Sequence, residues 1–262
     1  MRLFCVSDIH SYFTPFKKVL DAKGFEANNP EHLLIICGDL FDRGPETIPL
    51  IDYLNNLTNV VLIKGNHETL MEKMCDRGYA KGHDTSNGTL RTANDILCKY
   101  DEKCLADQPL TLVKEVLEPI FSRMVDYYET KNYVFVHGWI PMKYDATKKF
   151  AEYGEPTLFD ENWREGDWES ARWYNGVSKA RRGIIVPGKT TICGHWHCSY
   201  GHMLDSIQTD NWITEFEEDA IWEPYYANGV IAIDRCTAHT GEVNVIVLED
   251  DLIERTEEEK EV

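Results

Sequence analysis

The chain has 262 residues, with 45 Asp and Glu against 27 Lys and Arg, a formal net charge of −18. That balance argues against a nucleic-acid surface, because phosphate backbones are held by a basic footprint. The length allows a sizeable core, and no signal peptide or membrane-spanning run is visible, so a single-domain cytoplasmic protein in a reducing compartment is expected, with no membrane partner.

Arg2 to Ser7 reads as an apolar strand running into Asp8-Ile9-His10. Thr14 to Lys23 has helical spacing, with Thr14 as cap, Pro15 in the first turn, and Phe16, Val19 and Leu20 on one face. Leu33 to Cys37 is a short apolar run, read as a buried strand, that ends in Gly38-Asp39-Leu40-Phe41-Asp42-Arg43-Gly44. A second helix is expected over Glu46 to Leu57. Val60 to Ile63 then runs into Gly65-Asn66-His67-Glu68, with Glu68 opening a third helix that reaches about Arg77. Strand and helix alternate as a parallel sheet with crossovers requires.

Residues from about 89 to 130 have mostly helical patterning and read as a helical insertion that shapes a cleft. Tyr133 to Val136 is the next strand, ending in His137-Gly138. The segment from Lys143 to Pro187 is irregular; Trp163, Trp168 and Trp173 are expected to be packing anchors. Thr190 to Cys193 leads into Gly194-His195-Trp196-His197, with Trp196 expected to turn away and pack. Val230 to Asp234 and Val243 to Leu248 are expected to pair as a hairpin, and 249–262 is a charge-dense tail, frayed or a solvated helix. The eight cysteines form no Cys-x-x-Cys pair; Cys5, Cys37 and Cys193 read as small buried hydrophobes, and Cys198 as structural.

Five of the nine histidines (His10, His67, His137, His195, His197) thus sit at strand ends beside Asp8, Asp39 and Asn66, and His/Asp clusters mark metal or catalytic sites. Asp-x-His, Gly-Asp-x-x-Asp-Arg-Gly, Gly-Asn-His-Glu, His-Gly and Gly-His-x-His, in that order, resemble the calcineurin-like metallophosphoesterases from Met1 to about Glu249. The two central motifs are most similar to the serine/threonine phosphoprotein phosphatase branch, which includes bacterial and phage members and the symmetrical diadenosine tetraphosphatases. One departure stands out. That branch usually has one metal histidine in the last motif, whereas here there are two, as in the wider superfamily.

The resemblance implies an α/β fold of the α+β kind, a four-layer α/β/β/α sandwich of two mixed sheets flanked by helices. It implies two metal ions. Asp39 has two carboxylate oxygens and can bridge them; Asp8 and His10 complete one site, Asn66, His137 and His195 the other, and His197 adds to the first. Mixed oxygen and imidazole ligands suit Mn²⁺, Fe or Zn²⁺ better than Ca²⁺ or Mg²⁺. A hydroxide shared by the ions then attacks phosphorus in line. Arg43 is expected to bind phosphate, His67 to protonate the leaving oxygen, and Asp42 to orient His67. Arg172 is the candidate second phosphate-binding arginine, with Arg164, Arg181 and Arg182 as rivals. The implied activity is hydrolysis of phosphate monoesters, as by serine/threonine protein phosphatases. The alternatives are a symmetrical dinucleoside polyphosphate hydrolase and, in another class, a fold relative without catalysis that acts as a scaffold. The substrate is a phosphoprotein or a nucleotide.

Overall fold

Elements are numbered in chain order in the structure, a computed structural model that describes residues 1–100, 110–145, 156–207 and 209–252. Strands β1 (Arg2–Val6), β2 (His32–Cys37) and β3 (Val60–Ile63) pair in parallel, joined by helices α1 (Phe13–Ala22) and α2 (Thr47–Asn55). Strand β4 (Met124–Val125) extends this sheet at one edge and β12 (Ile246–Glu249) at the other, in the order β12-β1-β2-β3-β4. A second sheet has β10 (Tyr225–Ala227), β11 (Val230–Ala232), β9 (Thr190–Cys193), β6 (Tyr133–Phe135) and β5 (Tyr128–Glu129) in that order. The pair β7 (Met142–Lys143) and β8 (Leu158–Phe159) stands apart.

Side chains alternate across each strand, so both faces of these strands have work to do. Leu3, Cys5, Ile35, Cys37 and Ile63 from the first sheet meet Phe135, Ile192 and Ile231 from the second in one buried layer. Phe4, Val6, Leu34, Ile36 and Leu62 face the other way, into a core shared with α1, α2, α3 (Asn66–Arg77), α5 (Thr89–Tyr100) and α6 (Thr111–Phe121), the short α4 (Gly82–Ser86) lying between α3 and α5 in the chain. On the far side, Val134, Val136 and Ala232 pack with Trp139, Trp163 and Trp168, beside α7 (Trp168–Ala171), α8 (Gly176–Arg181) and α9 (Cys198–Ser206). The layers are helix, sheet, sheet, helix. Strands buried on both faces read as unbroken apolar runs, which is why they were visible in the sequence. Each fully buried Leu, Ile or Phe contributes about 1.5–3 kcal/mol, so Ile35→Ala, at the centre of the inter-sheet layer, should cost about 2–5 kcal/mol.

Several expectations change. The proposed hairpin does not form. β11 lies in the second sheet against β9 and β10, while β12 crosses to pair antiparallel with β1. Between them the backbone is left-handed at Cys236 (φ 53) and Gly241 (φ 69), on either side of the short helix α10 (Thr237–Thr240), and this turns the chain from one sheet to the other. Thr14 does not cap α1. It lies inside the helix, and the Glu46 carboxylate accepts its N–H at 2.9 Å and its hydroxyl, so the cap comes from 32 residues away. Asp250, assigned to the tail, is buried and accepts hydrogen bonds from Thr130 Oγ1 (2.7 Å) and Asn132 N (2.8 Å). Residues 253–262 of the tail, and Cys104, lie outside the described residues. Cys5, Cys37, Cys193 and Cys198 are buried, and burial raises all four thiols. Among the described residues no helix is long and apolar enough to cross a membrane.

Candidate active site

The carboxyl ends of β1, β2, β3, β6 and β9 converge on one cavity of about 220 Å³, lined among others by Asp8, His10, Asp39, Asn66, His67 and His195. The backbone that delivers them is unusual. Asp8, His10, Ser11, Asp39, Asp42, Arg43, His195 and Cys236 all have φ between 49° and 73°. Among the described residues these are the only non-glycine positions with positive φ, and each lies in or beside the cavity. Such conformations cost about 1–3 kcal/mol each and persist only where the surroundings over-determine them. Here the loops after β1 and β2 are zipped together: Asp8 N donates to Gly38 O (3.1 Å), His10 N to Asp39 O (3.0 Å), Ser11 N to Leu40 O (2.8 Å) and Gly44 N to His10 O (2.9 Å). Two glycines serve close approach. A Cβ on Gly65 would sit 2.1 Å from Asp39 Oδ1, and one on Gly194 would sit 2.2 Å from Asp8 Oδ2.

Asp39 is central. Its Oδ2 lies 3.9 Å from Nε2 of both His10 and His67, and its Oδ1 lies 3.3 Å from His137 Nε2. Two trios able to ligate a metal result, His10–Asp39–His67 and Asp39–His137–His195, and Asp39 belongs to both. Asp8 stands beside the second trio, its Oδ2 accepting the His195 N–H at 2.9 Å. His137 Nδ1 donates to Cys37 O (2.8 Å), which turns its Nε2 toward Asn66 Oδ1 (2.7 Å) and Asp39 Oδ1. Three acceptors facing one another repel unless a proton or a cation lies between them. His10 is arranged alike, its Nδ1 donating to Phe41 O (2.9 Å) and its Nε2 facing the cavity. Outer hydrogen bonds of this kind fix the imidazole tautomer that a metal needs, so the residues present fit a pair of transition-metal ions.

The charges show a cavity that gathers positive charge. Burial pulls His10 and His195 down to about 3, so both imidazoles are neutral and free to donate a lone pair. Burial also opposes charge on His137, but the Asp39 and Asp8 carboxylates outweigh it and hold it at about 10. Burial lifts Asp8 to about 6, against the pull of His137 and with the push of Asp39. Burial works against Asp39 as well, yet the His137 and His67 imidazoles keep it well below the ordinary carboxylate range.

On one side of the cavity Arg43 spans two imidazoles, Nη1 on His10 Nε2 (3.2 Å) and Nη2 on His67 Nε2 (3.0 Å). His67 Nδ1 meets Asp42 Oδ2 at 2.7 Å. Burial lowers the His67 proton affinity, but Asp39 and the Asp42 hydrogen bond more than restore it, and its pKa is raised.

Other expected site residues lie elsewhere. His197 does not join either trio: its Nε2 bonds Glu215 Oε1 at 2.7 Å and its ring packs on Phe216, at the cavity wall. Trp196 does not turn away; it lines the cavity and stacks on His197 with an interplanar angle of 19°. Trp163 and Trp168 are buried anchors, but Trp173 is 47% exposed and stands edge-on to His195, lining the cavity. Arg172 is tied to Asp126 and to Thr69 Oγ1 (3.2 Å) and is absent from the cavity lining. Of its rivals, Arg164 pairs with Glu129, Arg181 pairs with Asp205, and Arg182 is exposed.

Three further groups belong to the site. Glu68, expected only to open its helix, is buried and accepts N–H bonds from Asp39 (3.0 Å), Leu40 (2.8 Å) and Gly65 (2.8 Å), joining two loops through one carboxylate. Its place three residues after Gly65 is the capping-box position, a signal open to sequence reading. Asp234 lines the cavity, and burial, with the push of Asp8, lifts it to about 8. It follows an apolar strand just as Asp8 and Asp39 do, so the same rule would have found it. Thr89 and Thr92 bond Asp42, and no short-range pattern announces them.

The model of the calcineurin-like phosphoesterase family matches residues 1–234. A symmetrical bis(5'-nucleosyl)-tetraphosphatase of Buchnera aphidicola is 38% identical over 69 residues, 26% of this chain, and the match spans about a quarter (24%) of that relative's length. The asymmetrical bis(5'-nucleosyl)-tetraphosphatase PrpE of Oceanobacillus iheyensis is 24% identical over 218 residues, 73% of this chain and 78% of that one. A protein serine/threonine phosphatase from Saccharomyces cerevisiae has a similar fold, with a TM-score of 0.51 and 14% identity over 98% of this chain and 82% of that one. With the motifs in order on a two-sheet sandwich and a family match over most of its length, the chain belongs to the calcineurin-like phosphoesterase family.

Proposed function

We propose that this chain hydrolyses phosphate monoesters in the manner of serine/threonine protein phosphatases, with Asp8, His10, Asp39, Asn66, His137 and His195 holding two metal ions. The family depends on a metal pair, and the donor set suits Mn²⁺ or Fe, with Zn²⁺ next. When bound, two such ions polarise a phosphoryl oxygen and bring the pKa of water from 15.7 toward about 7. The observation that carries the reading is Asp39, which stands among His10, His137 and His195, with the Arg43 guanidinium and the Asp42-held imidazole of His67 on the same cavity.

The chain's own groups divide the work. Arg43 already donates into the cavity and would pass from the two imidazoles to phosphate oxygens, where a planar fork suits the geometry. His67 would deliver a proton from Nε2 to the leaving oxygen. Asp42 holds the opposite nitrogen, which keeps the ring turned toward the cavity. Asp39, Asp42 and His67 are buried, which strengthens the interactions among them.

A second reading, a symmetrical dinucleoside polyphosphate hydrolase, is supported by the likeness to the symmetrical tetraphosphatase of Buchnera aphidicola. The two differ in the leaving group, since a phosphate anion needs less protonation than an alkoxide. Metal-loaded protein should be assayed on a phosphoserine peptide, p-nitrophenyl phosphate and diadenosine tetraphosphate. Turnover of the peptide at least matching that of the polyphosphate supports the first reading; preference for the polyphosphate replaces it with the second. Inactivity on all three would overturn both.

A further inference from the structure

Helix α5 begins beside the Asp42–Arg43 turn, and its first residues hold that turn from below. Thr89 Oγ1 donates to Asp42 Oδ2 at 2.8 Å, and Thr92 Oγ1 donates to Asp42 Oδ1 at 2.8 Å. Thr92 Oγ1 also accepts the Asp42 N–H at 2.9 Å, so one hydroxyl grips both the backbone and the side chain of the same residue. Arg91 Nη1 donates to Arg43 O at 3.0 Å. Gly88 allows the approach: a Cβ there would lie 2.5 Å from Arg43 N, and its φ of 88° suits glycine alone. Asp42, Thr89 and Thr92 are all buried, so water does not substitute for any of these partners.

From this arrangement we infer that Thr89 and Thr92 are positioning residues for the proton-donating dyad, acting on His67 through Asp42. The inference rests on His67 being the acid of the proposed reaction. A carboxylate joined to its backbone by single bonds rotates unless its oxygens are held. Asp42 has one oxygen held by Thr92 and the other shared between Thr89 and His67 Nδ1. The two hydroxyls therefore set the plane of the carboxylate. The plane sets the direction of the bond to Nδ1, and that bond aims Nε2 into the cavity. Removing either hydroxyl lets the carboxylate turn and the imidazole swing. The helix carrying these threonines is thereby part of the catalytic apparatus, although no residue of α5 lines the cavity.

A merely structural role for the threonines would lower stability and slow all substrates alike. The positioning role predicts a loss that depends on the leaving group. T89V and T92V, which keep the shape and lose the hydroxyl, should lower kcat on phenyl phosphate by about 10–100-fold, the usual cost of disturbing an outer hydrogen-bond partner. On p-nitrophenyl phosphate, whose leaving group hardly needs a proton, the loss should be distinctly smaller, with KM and metal content unchanged. T89S and T92S, which restore the hydroxyl, should recover most of the activity. In an H67N background T89V should cost less than about twofold more, because groups acting in series do not add. Equal losses on both substrates, or a full added loss on top of H67N, would overturn the inference while leaving His67 as the acid. An H67N variant with undiminished turnover would remove the acid assignment and this inference with it. Should valine prevent folding, T89A carries the same comparison without the branched side chain.

Discussion

The two sheets bring residues to the cavity in different ways. Loops from the first sheet, after β1, β2 and β3, are held by backbone: four interloop hydrogen bonds, left-handed residues in sequence, and the Glu68 carboxylate spanning Asp39, Leu40 and Gly65. The wall from the second sheet is held by side chains. Trp196 stacks on His197, His197 bonds Glu215, and Phe216 and Trp222 continue the row of rings to His239. The first region has almost no freedom to vary without moving a candidate ligand. The second sheet also carries candidate ligands, His137 and His195, but the row of rings beyond them can exchange one ring for another and keep its shape. Chemistry common to a family belongs on the first kind of surface, and selectivity belongs on the second.

Substitutions can break or sharpen this contrast. Asp39→Ala should have the largest effect, a loss of turnover of at least about 10²-fold together with loss of both metals in metal analysis after dialysis; a variant that keeps two metals and full turnover would end the shared-carboxylate account. His67→Asn should lower kcat by roughly 10²–10⁴-fold on poor leaving groups, with metal content nearly unchanged, as steady-state rates on an aryl phosphate series would reveal. Glu68→Ala comes next. It strands three buried N–H groups, each costing about 1–3 kcal/mol, and should depress the melting temperature and cut activity about 10–100-fold; a wild-type melting curve would mean the loops are held without it. Glu215→Ala should do least. It frees His197 on the side-chain-held wall and should change kcat by about twofold at most, with metal content maintained. A collapse of activity in Glu215→Ala as deep as that in His67→Asn would erase the distinction between the two walls.

Much of the first wall was legible in the sequence because its signals are local. A strand buried on both faces is an unbroken apolar run, and the polar residues that follow it in the chain follow it in space. Asp8, His10, Asp39 and Asn66 stand out as candidate ligands in that way, and so, after strands of the second sheet, do His137 and His195; Asp234, after β11, obeys the same rule. What failed was non-local. The partner of β12 is β1, more than 240 residues away in the chain, and nothing in either strand names the other. Glu46 caps α1 across 32 residues, and Thr92 reaches Asp42 across 50. Trp173 reads like Trp163 and Trp168, since an irregular segment has no period from which to tell an anchored ring from an exposed one. His197 shares a motif with His195, but one turn of backbone and the competing carboxylate of Glu215 take it to another partner.

The pairing of β12 with β1 has a consequence for how the chain reaches its fold on a ribosome. β1 is made first and carries Asp8 and His10 at its end, yet it remains an edge strand until residues 246–249 emerge and close over it, down to the bond from Asp250 N to Met1 O at 3.2 Å. From its own synthesis until that of β12 its edge is open to pairing with a neighbouring chain, the hazard of any bare sheet edge. Strand β12 thus acts as a latch, and a nascent chain severed before residue 246 would present a nearly complete first sheet with the strand that leads to Asp8 and His10 uncovered.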